Sequence, residues 1–196
     1  IRLSATPVSD EVWSQIDEKL AMGGESSPEL AAVRGSVLWA AYGDALGAPI
    51  EFMSAADIAK RWGPEGIGTL APHSGVDAGA VTDDFQMFFA TGLGLVRSYE
   101  RWLGKGITDH LSMIHGAYLR WLQFQTIPKF ARAPGQTCLN ALRSARQLGA
   151  LAANDSKGCG ALMRVAPVGL VFPPDDAFEL GSQSAALTHG HPTALS

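Results

Sequence analysis

The chain has 196 residues, 46% of them hydrophobic, and a net charge of −4, with a pI near 5.7 and a mean hydropathy of +0.08; that is enough for one sizeable core, or one domain with an appendage. The acidic balance shows no clustered basic face and argues against a nucleic-acid partner, and no apolar run approaches the roughly 18 residues that a membrane span needs. Two cysteines, Cys138 and Cys159, make neither a disulfide framework nor a multi-cysteine zinc site, so a soluble, cytoplasmic protein in a reducing compartment is expected.

Residues 1–27 read as an N-terminal arm with one amphipathic helix, "SDEVWSQIDEKLAM", in which Val12, Ile16 and Leu20 recur at four-residue spacing. Ser27 ahead of Pro28 opens a second helix that reaches about Leu46. Its small residues (Ala31, Ala32, Gly35, Ala40, Ala41, Gly43) predict a central, buried helix, because they allow close helix contacts. Residues 47–80 form a long Gly- and Pro-rich loop interrupted by a short helix at "SAADIAKRW". A helix follows "TDD" and runs to about Ser98. Another covers "TDHLSMIHGAYLRWLQFQ", with Leu111, Ile114, Tyr118, Trp121 and Leu122 on one face. "TCLNALRSARQLGAL" makes the next helix, "NDSKGCGALMR" a turn leading to a short apolar segment, and "DDAFELGSQSAALTHG" the last helix. No alternating strand pattern, internal repeat or low-complexity tract is present, so the fold class is all-α.

Polar groups concentrate in four segments. "GDALGAPIE" places Asp44 and Glu51 around a glycine break, which also reads as a plain helix C-cap and a loop carboxylate. Thr82-Asp83-Asp84 reads as an N-cap with acidic residues at a helix start, and the same three side chains offer oxygen donors of the kind a hard cation takes. In "DSKGCGALMR", Gly158 and Gly160 bracket Cys159, so free amides there suit a phosphate, although a lone Gly-x-Gly is also an ordinary turn. Cys159 has no catalytic partner in its own segment. His189 and His191 in "LTHGHP" fit no zinc pattern and read as a turn and a surface histidine.

Taken in order, "GDALGAPIEF", "TDDFQM", "SKGCGALMRVAPVGL" and "SAALTHGHP" resemble the N-terminal two-thirds of the ADP-ribosylglycohydrolase family, which includes the dinitrogenase reductase-activating glycohydrolases. The resemblance runs from about Arg34 to Ser196. It implies a compact all-α domain around a two-metal Mg2+ or Mn2+ centre that cleaves the glycosidic bond joining ADP-ribose to a protein residue or a small molecule. By this resemblance Thr82, Asp83 and Asp84 are metal ligands, Glu51 and Asp84 the catalytic carboxylates, and Ser156, Gly158, Cys159, Gly160 and His189 substrate-binding residues. Two metals about 3.5–4 Å apart would bind ribose hydroxyls and acidify a water, which Asp84 or Glu51 would orient or deprotonate.

The family completes its metal site with a late Asp-x-Asp-Thr/Ser motif, and no such motif follows His189 here. The chain starts at Ile1 and stops at "HPTALS", which reads as a fragment: residues 1–27 an arm, residues 28–196 a partial domain. A complementing C-terminal chain is one expected partner, beside ADP-ribose or an ADP-ribosylated protein. Weak or absent metal-dependent hydrolysis is expected of the chain alone. The alternative function is a non-catalytic ADP-ribose-binding or immunity protein that neutralises an ADP-ribosylating toxin, with the arm as its contacting element.

Overall fold

The computed structural model describes residues 28–196; the N-terminal arm, with its helix expected at residues 9–22, lies outside the described residues. The chain divides into two compact units, Ile1–Leu38 and Trp39–Ser196, and the second holds the hydrophobic core. In chain order the helices are α1 (Pro28–Gly47), α2 (Ala55–Trp62), α3 (Asp83–Lys105), α4 (His110–Phe124), α5 (Gln136–Ser144), the single turn α6 (Ala166–Gly169) and α7 (Pro174–Ala186). Short 3-10 turns occur at Ala48–Ile50, Leu162–Arg164 and Pro192–Ala194. Among the described residues no strand forms beyond an isolated bridge between His73 and Val76, so the all-α expectation holds. No described helix is long and apolar enough to cross a membrane.

The core lies where α3 and α4 meet. Met87, Ala90 and Leu95 from α3 pack with Ile114, Ala117, Tyr118 and Trp121 from α4, and Cys138, Leu139 and Leu142 of α5 close one side. Ile114, Tyr118 and Trp121 follow the i, i+4, i+7 spacing of a buried helical stripe; Leu111 and Leu122 pack at its edge, as their positions in the sequence predict. Full burial of a side chain such as Met87 or Ile114, each 0% exposed, contributes about 1.5–3 kcal/mol. Asp109 caps α4 by accepting a hydrogen bond from Ser112 N at 3.1 Å.

Three expectations need correction. First, α3 extends beyond Ser98 to Lys105, because the helix stop is Gly106, whose φ of 66° is left-handed and whose N–H bonds to Trp102 O. Second, α5 ends at Ser144 rather than continuing toward Leu151. Gly149 takes a φ of 77° and donates its N–H to Nδ1 of buried His115 at 2.9 Å, so a tertiary bond overrides local helix propensity. Third, the part of α1 in the second unit is not buried: Ala45 alone is fully covered there, while Trp39 is 71% exposed and nothing lies within 4 Å of where a side chain at Gly43 would begin. Small residues permit a close neighbour without requiring one.

One glycine does require it. A Cβ on Gly94 would lie 2.5 Å from the Ile114 Cα and 2.8 Å from its backbone nitrogen, so α3 and α4 cross at hydrogen-for-side-chain distance. Gly94→Ala should therefore lower stability by about 1–3 kcal/mol through overpacking, although alanine alone favours a helix by up to about 1 kcal/mol. Urea unfolding decides it: an unchanged or raised midpoint would show that the crossing is loose.

Candidate active site

The site begins at a helix cap. Thr82 precedes α3 with extended backbone, and its Oγ1 accepts from Asp84 N at 3.1 Å, the N-cap that its residue type predicts. Asp44, near the end of α1, then takes both remaining hydrogens of Thr82: Oδ2 accepts from Thr82 N at 2.7 Å and Oδ1 from the hydroxyl at 2.5 Å. With that proton committed to Asp44, the Thr82 orientation is fixed, and so are the first residues of α3. On the far side Arg132 donates from Nε to Val81 O at 3.0 Å and from Nη1 to Lys129 O and Ala131 O, which holds the loop after α4 against the residue before the cap.

Beside this cap is a cavity of about 390 Å³. One part of its wall is Glu51, Thr82, Asp83 and Asp84, and another is Gly158, Cys159, Gly160 and His189. Four separated sequence segments thus meet at one hollow. Ser156 stands just behind the second wall: its Oγ accepts from Gly158 N at 3.4 Å and shares a hydrogen bond with Thr137 Oγ1 at 3.2 Å. A larger cavity of about 480 Å³ shares Gly158 and Cys159 of the same loop, but its lining is mostly apolar, as at Ala161, Leu162, Val165 and Phe178, with Lys157, Ser182 and Thr193 beside them and no acidic or histidine side chain. Chemistry therefore favours the smaller one.

The acidic wall is electrostatically strained. Burial, reinforced by Asp84 and more weakly by Glu51, raises the Asp83 pKa to about 6 despite opposing hydrogen bonds from the Asp83 and Gly135 amides. Burial, then Asp44 and Glu51, raises Asp84 as well. No cation is among the groups that act on either carboxylate. Oxygen-only donors that repel one another in a partly dry cleft form a set that a hard divalent ion relieves. Among the described residues, however, no three or more His, Cys, Asp or Glu side chains converge closely enough to hold a metal by themselves.

The glycine wall is built from backbone fit. Asn154 ties it to the turn after α7, with Nδ2 donating to Thr188 O at 2.9 Å and Oδ1 accepting from Ser156 N and Gly190 N at 3.0 and 3.1 Å. A Cβ on Gly160 would lie 2.9 Å from Cys138 Sγ and 3.0 Å from His189 Cε1, so only glycine lets the loop pass under the histidine. Cys159 is an exposed free thiol, whereas Cys138 is buried and burial raises its pKa.

His189 departs from the surface reading. It is 1% exposed, and burial, with Arg164 adding to it, lowers its pKa to about 4, so it is neutral at pH 7. His191 instead accepts from Thr193 N at 3.0 Å and caps the last turn. Arg164 is 0% exposed and stacks 4.6 Å from the Tyr118 ring centroid. Its Nη2 donates to Ser184 O, Ala185 O and Thr188 Oγ1. The sequence alone assigns Arg164, Thr188, Thr137 and Arg132 no place in the site, and sets Asp44 near it without a role. Arg164 stands in "ALMRVAP", where nothing local distinguishes it from a surface arginine, and only the polar word "GDALGAPIE" hints at Asp44.

The fold and cavity define a class: an all-α domain in which a carboxylate-rich helix start and a glycine loop line one cavity. Comparison makes the class particular. The ADP-ribosylglycohydrolase family profile matches residues 26–196, and the chain belongs to that family. It is similar to the ADP-ribosyl-[dinitrogen reductase] glycohydrolase of Rhodospirillum rubrum, with 31% identity over 163 residues, which is 81% of this chain and 51% of that protein. The chain thus spans about half the length of the curated relative it matches.

The two shifted groups pull stability in opposite directions with pH. Asp83, whose folded pKa is raised from 3.8 to about 6, stabilises the fold only while protonated, and that contribution is lost as pH rises through about 6. His189, lowered from 6.5 to about 4, costs stability as pH falls from 6.5 toward 4. Asp83→Asn should therefore raise metal-free stability at pH 7 by about 1 kcal/mol, after discounting for solvent screening, with the advantage vanishing near pH 4. Paired thermal melts across that range check it; a constant difference would remove the charge explanation.

Proposed function

We propose that this domain carries out metal-dependent hydrolysis of the glycosidic bond linking ADP-ribose to a modified protein residue or a small molecule. One observation carries the reading: a single cavity joins a wall of cation-type oxygen donors to a wall of glycine amides and a neutral histidine, matching a ligand with ribose hydroxyls at one end and a diphosphate at the other. Membership of the family and the relative's printed activity support it.

In this reading Thr82, Asp83 and Asp84 hold Mg2+ or Mn2+, one or two ions, with waters and ligand hydroxyls completing the coordination. A bound divalent ion of this kind lowers the pKa of water and binds hydroxyl oxygens. Glu51 and Asp84 line the same cavity, and either carboxylate orients the attacking water and takes its proton as the water oxygen bonds to the anomeric carbon; the glycosidic bond breaks toward the leaving nitrogen or oxygen, which receives that proton in turn. Amides of Cys159 and Gly160 hold the diphosphate, while Gly158 N is taken by Ser156 Oγ, itself bonded to Thr137. Asp44 acts one step back by locking Thr82. This wall alone supplies too few carboxylates for a closed bimetallic site, an observation that favours a second reading, ADP-ribose binding without turnover. The immunity role would rest on residues outside the described ones.

Calorimetric titration of ADP-ribose separates the readings. With Mg2+ present, affinity should rise at least about tenfold, equivalent to about 1.4 kcal/mol, and Asp83→Asn with Asp84→Asn should abolish that gain. Release of ADP-ribose from a glycosidic substrate would establish the hydrolase; metal-dependent binding without release would leave the binding protein. Binding that ignores both Mg2+ and the two substitutions would overturn the metal role altogether.

A further inference from the structure

The hydrogens around His189 can be counted, and the count constrains what the residue does. Thr188 Oγ1 is 2.6 Å from Arg164 Nη2 and 2.8 Å from His189 Nδ1. A guanidinium nitrogen can only donate, so Thr188 Oγ1 must accept there. The hydroxyl has one hydrogen of its own, and two neighbours can receive it: Nδ1 of His189 and the Cys138 sulfur. A neutral imidazole that accepts at Nδ1 carries its proton at Nε2. Nε2 lies toward the cavity wall, 3.6 Å from the Cβ position of Gly158 and 3.4 Å from that of Gly160.

The competing arrangement puts the proton on Nδ1, makes Thr188 Oγ1 accept twice and sends the hydroxyl hydrogen to the Cys138 sulfur, with which Thr188 is also hydrogen-bonded. Thiol sulfur is a weak acceptor, and Arg164 Nη1 already points at it from 3.7 Å. The charge of Arg164 also opposes a positive N–H facing it across the hydroxyl, since like poles repel most in a buried site.

We propose that Arg164 and Thr188 are positioning residues that lock His189 as the Nε2-protonated neutral tautomer, making it a fixed hydrogen-bond donor to an oxygen acceptor of the ligand. This excludes His189 Nε2 as a general base and leaves proton acceptance to Glu51 and Asp84. The identity of the acceptor, an oxygen of ADP-ribose, rests on the function proposed above; the tautomer does not.

The test is long-range 1H–15N correlation NMR on the full 196-residue chain, with the His189 signals assigned by their loss in His189→Gln. Wild type should show the pattern of a protonated Nε2 and a bare Nδ1, a readout that mere packing would not specify. Thr188→Ser, which keeps the hydroxyl, should preserve it; Thr188→Val, which removes it, should give a mixture of tautomers. A protonated Nδ1 in wild type, or an unchanged pattern in folded Thr188→Val, overturns the proposal. Should Thr188→Val fail to fold, the wild-type spectrum decides alone. Thr188→Val should also weaken ADP-ribose binding about tenfold, the scale of one lost hydrogen bond to a charged acceptor, with Thr188→Ser within about twofold of wild type. Absence of any ADP-ribose binding by wild type would defeat the ligand assignment and leave the tautomer to be judged by the spectra.

Discussion

One guanidinium links the core to the cavity. Arg164 is fully buried, and its partners come from four helices: the Tyr118 ring of α4, Met87 of α3 and Cys138 of α5 through sulfur, and the carbonyls that end α7. None of these partners is a carboxylate. Burying an uncompensated charge costs several kcal/mol, so the site must recover much of that from carbonyl dipoles, a hydroxyl and an aromatic face, the last contributing about 2 kcal/mol when desolvated. The carbonyls at the end of α7 suit the task, because a helix C-terminus carries partial negative charge. Removing this side chain would open a cavity and leave those carbonyls with only their backbone donors, the N–H groups of Leu187, Thr188 and His189. The core thus depends on a cation whose charge remains felt at His189.

The two cavity walls use opposite electrostatic devices for that reason. On one side burial and like charges push Asp83 and Asp84 upward, a state that favours capture of either a proton or a cation. On the other, burial and Arg164 push His189 downward, so that no proton is captured. The acidic wall is positioned by a cap and a clasp, Thr82 on α3 and Asp44 on α1, which are rigid helix ends. The glycine wall is positioned by side-chain amide bonds from Asn154 and by close backbone approach at Gly160 and Gly190, where a Cβ would lie 2.0 Å from Asn154 O. Helix ends hold charge well because their orphan amides and carbonyls are already directed. A loop holds it only when packing leaves it one path.

Local signals make much of this legible. The stripe Ile114-Tyr118-Trp121, the cap at Thr82 and the polar words around Glu51, Gly158 and His189 each follow from spacing and residue chemistry, and the structure brings those words to one cavity. What escapes depends on partners distant in sequence. Asp44 meets Thr82 across 38 residues, and Arg164 meets Thr188 across 24; neither pair has a local signature. The end of α5 follows the same logic, since a histidine on α4 pulls Gly149 out of helical geometry. In α1 the small residues tolerate a close neighbour, and tolerance does not supply one. Burial reverses the reading of His189, a residue whose polar word looks like a surface turn.

On the proposed function, these walls imply that metal and ligand bind cooperatively. A diphosphate held by the glycine-loop amides would feel the like charge of Glu51, Asp83 and Asp84 in the same cavity, a repulsion that a partly dry cleft strengthens. A neutral donor at His189 and a buried Arg164 offset only part of that repulsion. A divalent ion among the carboxylates reverses the sign of the opposing wall, so it should strengthen the hold on the diphosphate, and by thermodynamic reciprocity the diphosphate should strengthen the hold on the ion to the same degree. In that reading the carboxylate cluster would act as a filter as well as a ligand set: without its ion it would turn away the anion proposed for the glycine loop.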